Sequence, residues 1–445
     1  MNSATSSLAA LARVNLQTFG CQMNEYDSEL VGSILGERGF ALTADETAAD
    51  VILFNTCAIR ETAHTRIYAR LDALLHEKKA RPELIVGVLG CMSQNLKEDL
   101  LLRFPAVDLI CGPDAYRHLP DLIDRARSLR ERGTAVELSE YETYDDIAPT
   151  RVEGVNAWIA IMRGCDNYCT FCVVPYTRGR ERSRDPEGIL AETRTLASQG
   201  YKQVTLLGQN VNSYRHNGTT FADLMASVAQ IPGIARVRFT SPHPQDFPAQ
   251  LLEVIAGDDR LCKHIHLPLQ AGSDRILKKM NRGYTRDGFL RLVDQIRTTI
   301  PGVALTTDII CGFPTETDAE FAATEAVMRE VEFDSAFIFK YSERVGTIAA
   351  KLWDDDIPEP VKSERVTRLV DLQREISLRH HQTMVGSTVR VLIEGESRKN
   401  AHEWKSRTDG NAIVVFADPT ATTGDFRNVR LTEATPNTLR GIAIH

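Results

Sequence analysis

Short apolar runs alternate with amphipathic stretches along the first quarter of the chain. Val14-Asn-Leu-Gln-Thr-Phe19, Val51-Ile-Leu-Phe54, Leu84-Ile-Val-Gly-Val-Leu89 and Val107-Asp-Leu-Ile110 read as strands, with helical stretches near 26–38, 61–79 and 95–103. Strands separated by helices predict a parallel, doubly wound α/β sheet over 13–112. A helix around Leu119–Arg132 follows. The composition then turns acidic and tyrosine-rich through Glu137, Tyr141, Tyr144 and Asp146. That shift predicts a linker over 134–150, closing an N-terminal domain of 13–133.

Between 156 and 341 the alternation resumes with Ala157–Met162, Val204–Leu207, Val237–Thr240, Ile265–Leu269, Ala304–Ile310 and Ala336–Tyr341. Asp185-Pro186-Glu187 opens one intervening helix with a cap and a proline in its first turn. Six βα units predict a partial parallel barrel whose chemistry sits at the strands' carboxyl ends. An amphipathic helix, Lys362–His381, completes a central domain of 151–381. From 384 to 445 the period changes to two: Thr388–Ile393, Ala412–Phe416 and Val429–Thr432 read as strands, and Asp409-Gly410 as a hairpin turn. A small all-β barrel is expected there.

Composition adds limits rather than direction. The chain has 445 residues, 43% hydrophobic and 25% charged, which suits several globular domains. No run approaches the roughly 20 apolar residues of a membrane span, so no membrane partner is expected. Met1–Ala10 has neither a basic nor an apolar export region and reads as a disordered lead-in, which points to the cytoplasm. Net charge is −8, so nucleic acid would have to be held by local basic patches. Arg163, Arg178, Arg180, Arg182 and Arg184 stand against Asp166 and Glu181 in one candidate patch. Arg398, Lys399, Lys405 and Arg407 stand against Glu403 in the other, with His402 and Trp404 interleaved. Each is either a solvated surface or an RNA contact.

The cysteines carry the chemistry. Cys165, Cys169 and Cys172 form a C-x3-C-x2-C loop after the first strand of the central domain. Three thiolates on one tight loop suit an iron–sulfur cluster with one iron left open. A structural zinc site would want a second Cys or His pair close downstream, and none follows. In the N-terminal domain, Gly20-Cys21, Thr56-Cys57 and Gly90-Cys91 each end a predicted strand. Carboxyl ends of parallel strands share one edge, so Cys21, Cys57 and Cys91 are expected to converge into a second three-thiolate site. The glycines before Cys21 and Cys91 are read as making room for a bulky cluster. Cys111, Cys262 and Cys311 read as packing thiols. Polar residues gather at the central strand ends: Gln209, Asn210, Asn212, Ser241, His243, Gln270 and Asp308. His264 and His266 read as satisfied strand residues.

The C-x3-C-x2-C loop resembles the radical S-adenosylmethionine (SAM) enzymes. The strings Thr18–Asn24, Asn55–Arg60, Gly90–Gln94 and Gly164–Ser183 narrow the resemblance to their methylthiotransferase branch. Arg407–Asn411 and Thr435–Gly441 resemble the TRAM RNA-binding module. The resemblance implies two 4Fe–4S clusters and SAM as cofactors, with Phe171 beside the SAM adenine and the polar strand-end residues around its other groups. It implies transfer of a methylthio group to C2 of an N6-isopentenyladenosine beside the anticodon of tRNA. It also implies a reductant such as flavodoxin or ferredoxin, and no DNA. Trp404, Lys405 and Arg407 are expected to stack on and neutralise RNA, and the two cluster sites to share one pocket. One alternative is the sister activity on an aspartate of a small-subunit ribosomal protein. The other is a non-catalytic, metal-stapled RNA-binding protein.

Overall fold

The computed structural model describes residues 12–58, 61–151 and 154–444. The lead-in Met1–Ala10 and the motif end Ile59–Arg60 lie outside the described residues. The chain divides into two compact units. The first comprises Met1–Val152, Arg163–Asp166 and Val173–Arg182; the second comprises Glu153–Met162, Asn167–Cys172 and Ser183–His445.

The first unit is built on β1 (Arg13–Phe19), β2 (Ala41–Leu42), β3 (Val51–Thr56), β4 (Ile85–Gly90), β5 (Leu109–Cys111) and β6 (Gly133–Ala135). They form one parallel sheet in the order β2-β1-β3-β4-β5-β6. Every residue of β3 and β4 is buried, as the centre of a sheet covered on both faces requires. The four apolar runs are the four inner strands. The edge strands β2 and β6 have two and three residues, too few to register as a hydrophobic period.

The acidic stretch 134–150, expected to be a linker, is instead packed into this unit. Tyr144 is fully buried, donates its hydroxyl hydrogen to the Pro113 carbonyl at 3.0 Å and accepts from the Tyr116 N–H at 3.1 Å. The Ala148 carbonyl accepts from the Ser33 hydroxyl at 2.6 Å. Its acidic side chains and the exposed Tyr141 gave the stretch its solvated look, whereas Tyr144 faces inward.

The second unit contains β7 (Asn156–Ala160), β8 (Gln203–Leu207) and β9 (Arg236–Phe239), paired as β9-β8-β7. It continues with β10 (His264–His266), β11 (Ala304–Cys311) and β12 (Ser335–Lys340), paired as β10-β11-β12. All these pairings are parallel, and a parallel bridge from Val237 to Leu261 links the two triplets. Leu206, Val237, Ile265 and Leu305 make the shared core with Phe289 and Val293. The helix Glu359–Met384 covers the outer face of β11 and β12, with Leu369 against Ile309 and Cys311.

The chain ends in a closed barrel of β13 (Thr388–Ser397), β14 (Asn400–Thr408), β15 (Ile413–Phe416), β16 (Phe426–Ala434) and β17 (Leu439–Ile444), in the order β13-β14-β15-β17-β16. Val391, Ile393, Val414, Phe416 and Val429 fill it. Buried arginines fasten it to the central strands. Arg236 donates to the carbonyls of Arg407 and Arg390 at 2.8 and 3.0 Å, and Arg238 to that of Thr408 at 2.7 Å.

Candidate functional site

The parallel register aligns Phe19 with Thr56 and Thr56 with Gly90. Cys21, Cys57 and Cys91 therefore leave neighbouring strands at one edge of the first unit's sheet. The order β2-β1-β3 makes the gap between β1 and β3 the point where the winding reverses, the usual crevice for a ligand in such sheets. Cys21 and Cys57 flank that gap. Cys111 pairs with Leu89, one row further in; it is fully buried, and burial pushes its thiol pKa far up.

Two asparagines that sequence reasoning did not single out set the geometry of this edge. Asn24 donates to Asn55 Oδ1 at 3.0 Å and to the Thr56 carbonyl at 3.2 Å; Asn55 donates back to the Asn24 carbonyl at 2.9 Å. Cys21 caps the helix Gln22–Glu37, its N–H and thiol donating to Asn24 Oδ1 at 3.3 and 3.4 Å. The flanking glycines serve this brace, a correction to their expected role beside a cluster. A Cβ at Gly20 would stand 2.3 Å from Asn24 Oδ1, and one at Gly90 (φ +86°) 2.5 Å from Asn55 Oδ1. Both asparagines lie in the motif strings, which was the available signal.

The thiols differ in protonation. A hydrogen bond from Cys57 draws Cys21 down to about 6 against the opposing effect of burial, with further help from the Arg178 charge and the Asn24 N–H. Burial pushes Cys91 up, and Arg178 opposes it. One thiolate therefore stands ready at neutral pH, while Cys91 must lose its proton as metal binds.

Arg178 comes from the arginine-rich stretch that the sequence offered as a nucleic-acid patch, and the structure contradicts that reading. Arg163, Arg178, Arg182 and Arg184 are all buried, and of the five only Arg180 is exposed. Arg163 and Arg178 donate to the two oxygens of the fully buried Asp27, at 2.8 and 2.7 Å. Arg182 pairs with Asp114 at 2.8 Å, and Arg184 with Glu192 at 2.9 Å. Acidic partners distant in sequence are invisible to a local charge count.

The C-x3-C-x2-C loop runs from the first unit, which holds Cys165, into the second, which holds Cys169 and Cys172. The Cys165 N–H donates to the Gly179 carbonyl at 3.2 Å. In the second unit, buried Arg282 donates to the Cys169 thiol at 3.1 Å, and Thr170 is tied to Met280 and Lys279 through their carbonyls. Arg282 also lies outside every motif noted in the sequence. Among the described residues no three His, Cys, Asp or Glu side chains are arranged around a single ion. A four-iron cluster asks less of its ligands, since each cysteine holds a different iron.

The strand-end residues fall into two groups. His243 is buried, donates its N–H to Asn212 Oδ1 and gives its carbonyl to Asn212 Nδ2, both at 2.8 Å, so the Asn212 amide is committed to holding that loop. Burial, then Arg282, lowers His243 to about 3, which keeps its ring neutral. The His243 ring packs on Tyr284, whose hydroxyl accepts from Arg282 at 3.1 Å, so His243 joins the Cys169 side of the site. His243 Nε2 and Gln270 Oε1 are buried with no hydrogen-bond partner, and Gln270 and Ser241 have left-handed backbones (φ +67° and +62°). Phe171 packs with Ile310 on the cluster of Ala271, Ile276 and Phe313. Asn210 donates to Asp246 at 3.2 Å, Gln209 is half-buried, and Asp308 pairs with His266 at 3.2 Å. His264 and His266 both bond the Thr306 hydroxyl, at 3.2 and 3.0 Å.

On the terminal barrel, Trp404 is a packing residue: its ring lies against the barrel core and its N–H donates to the Asp418 carbonyl at 2.8 Å. Lys405 and Arg407 share Glu394, at 2.7 and 2.8 Å. Arg398, Lys399 and His402, around the β13–β14 turn, are exposed.

Three family models match the chain: an uncharacterized protein family, UPF0004, over residues 13–112, the radical SAM superfamily over 159–327, and the TRAM domain over 382–444. A protein of Chloroherpeton thalassium described as tRNA-2-methylthio-N(6)-dimethylallyladenosine synthase is 50% identical, covering 97% of this chain and 96% of its own. One of Bacteroides thetaiotaomicron with the same description is 47% identical over 96% and 95%. Among solved structures, the radical S-adenosylmethionine methyltransferase TsrM from Kitasatospora setae, with cobalamin and a 4Fe–4S cluster bound, shares the fold. Its TM-score is 0.58 at 15% identity, covering 76% of this chain and 77% of that one.

Proposed function

This chain belongs to the radical SAM family of tRNA-2-methylthio-N6-dimethylallyladenosine synthases, and we propose that its two three-cysteine sets are the cluster ligands of that tRNA methylthiotransferase. The single observation that carries the residue assignment is the register that brings Cys21, Cys57 and Cys91 to one sheet edge, separate from the C-x3-C-x2-C loop. Adenine C2–H resists ordinary acid–base chemistry, and the clusters and SAM, when bound, supply the radical, the sulfur and the methyl group that the reaction needs.

The chain's own residues bind, orient and exclude water. Cys165, Cys169 and Cys172 would hold the SAM-cleaving cluster, with Arg282 offsetting the charge at Cys169. Cys21, Cys57 and Cys91 would hold the auxiliary cluster, with Cys21 fixed by Asn24. The unpartnered His243 Nε2 and Gln270 Oε1 fit a polar cofactor at the strand ends. Phe171 offers an apolar surface for its adenine, and Gln209, Asn210 and Ser241 stand at the same carboxyl ends, while Asp308 lies within β11, short of its end. Asn212 acts on this site through the His243 backbone.

An adenosine beside the anticodon, already carrying its isopentenyl group, is the proposed target. The inward-facing row of β12 offers the apolar counterpart. Phe337 and Phe339 are 57% and 46% exposed, in register with Asp308 and Ile310. Bare aromatic surface beside polar strand ends suits a base with a hydrocarbon tail. The terminal barrel would engage the anticodon stem-loop through Arg398 and Lys399, with lesser roles for Lys405 and Arg407. A low-potential donor such as flavodoxin or ferredoxin would supply electrons, in the cytoplasm where tRNA is found. The relatives' shared description favours tRNA over a ribosomal-protein aspartate. The test is nucleoside analysis of tRNA from a deletion strain, with and without the restored gene. Loss of the 2-methylthio nucleoside and its return are expected; an unchanged tRNA profile would overturn the reading.

A further inference from the structure

We propose that Arg178 is a positioning residue for the auxiliary cluster, a buried cation that offsets the negative charge gathered on the Cys21–Cys57–Cys91 edge. The inference rests on the reading that these cysteines hold a cluster. It starts from where the backbone puts the side chain. Arg178 ends the short helix Val174–Thr177, which packs against the helix Cys91–Leu96, and Val173 shares an apolar cluster with Cys91 and Ala58. The Arg178 side chain is 4% exposed, so its charge has almost no access to water.

The buried carboxylates here are fewer than the buried guanidiniums. Two buried carboxylates, Asp27 and Asp114, face three buried guanidiniums, Arg163, Arg178 and Arg182. Asp27 is already shared between Arg163 and Arg178, and Arg178 NH1 has no hydrogen-bond partner. A buried guanidinium with an idle NH1 donor is suited to one more anionic partner on this edge. Beyond Asp27, Arg178 acts on Asp114, Tyr116 and Arg163 as well as on the thiols of Cys21 and Cys91, and of these only the thiols are proposed cluster ligands. A 4Fe–4S cluster on three thiolates is an anion of the required sign, and charge and hydrogen bonds near the sulfurs set its potential.

A purely structural arginine and a cluster-positioning one behave differently on removal. In the metal-free protein, a neutral residue at 178 leaves Asp27 paired with Arg163 alone, so stability should fall only by what the Asp27–Arg178 bond contributes. In the loaded protein, loss of that charge makes adding an electron harder. The experiment uses the full chain with Cys165, Cys169 and Cys172 changed to Ala, so that only the auxiliary cluster remains. Arg178→Met, Arg178→Gln and Arg178→Lys are introduced, and iron per chain, metal-free melting temperature and EPR-monitored midpoint potential are measured. The midpoint should shift to more negative potential in both neutral variants and move back in the lysine variant. A folded neutral variant that no longer retains iron also supports the role. An unchanged midpoint with full iron in either neutral variant that folds would overturn it. Absence of iron in the unmodified Arg178 background would refute the cluster reading itself, a result separable from any effect of Arg178.

Discussion

Arg282 donates a hydrogen bond to the Cys169 thiol at 3.1 Å, and both side chains are buried. A guanidinium held this close can donate to the cysteine sulfur while that sulfur holds an iron atom. Arg282 in turn bonds the Tyr284 hydroxyl, and Tyr284 packs against His243, so one buried row links the cysteine loop to the strand-end polar residues. Replacing Arg282 with Met should weaken iron retention at this loop by about 10–100-fold, the usual cost of losing a ligand's supporting partner. Chelator competition on the reconstituted protein measures it, with the Cys21 set as internal control.

Anaerobic reconstitution should give about eight irons per chain, four at each three-cysteine site. Changing Cys165, Cys169 and Cys172 to Ala should leave about four. Eight irons in that variant would mean the two sites have been drawn wrongly.

The sites should also separate by activity. Protein lacking Cys21, Cys57 and Cys91 should still cleave SAM reductively but form no methylthio product. Normal product from this variant would remove the auxiliary site from the reaction.

RNA affinity should depend more on the β13–β14 turn than on the strand residues next to it. Glu394 already offsets Lys405 and Arg407, whereas Arg398 and Lys399 are exposed and form no ion pair among the described residues. Arg398→Ala with Lys399→Ala should flatten the salt dependence of tRNA binding by about one to two units of slope. Lys405→Ala with Arg407→Ala should do less. Trp404→Ala should act through the barrel's stability, costing about 2–4 kcal/mol for a half-buried, hydrogen-bonded ring. Thermal melting beside filter binding tells the two effects apart.

Isopentenylated anticodon stem-loops should outperform unmodified ones in single-turnover assays. Five carbons at about 0.8 kcal/mol per buried methylene can supply a few kcal/mol of orientation and binding. If Phe337 receives that group, Phe337→Ala should shrink the preference towards equal rates while leaving uncoupled SAM cleavage intact. Equal rates in the unaltered enzyme would refute the preference.

The inner strands of both α/β frames and the shared edge of Cys21, Cys57 and Cys91 were legible because apolar runs and strand-end positions are local features of sequence. Charge compensation was not. Arg163, Arg178 and Arg182 look like a basic surface until Asp27 and Asp114, far away in the chain, are folded against them. Trp404 and Lys405 misled in the same way, since the Asp418 carbonyl and Glu394 that hold them lie on a loop and a strand elsewhere in the barrel. The role of Gly20 and Gly90 was half right: close approach is needed, but what approaches is the Asn24–Asn55 brace.

The Asp27 bridge also constrains the order in which the chain can fold. The first unit is discontinuous and takes Arg163 and Arg178 from beyond residue 152. Until those two residues have left the ribosome, Asp27 is a carboxylate bound for a dry interior without a counter-ion, a situation that costs about 3–5 kcal/mol. The N-terminal sheet is therefore a pending structure during synthesis, completed only when the segment through Arg182 emerges. A fragment ending at residue 150 would carry all three sheet-edge cysteines yet lack the cations that close their floor. The cysteine loop that follows Arg163 is thus translated in the same stretch of chain that locks the older domain, and one event of synthesis completes both.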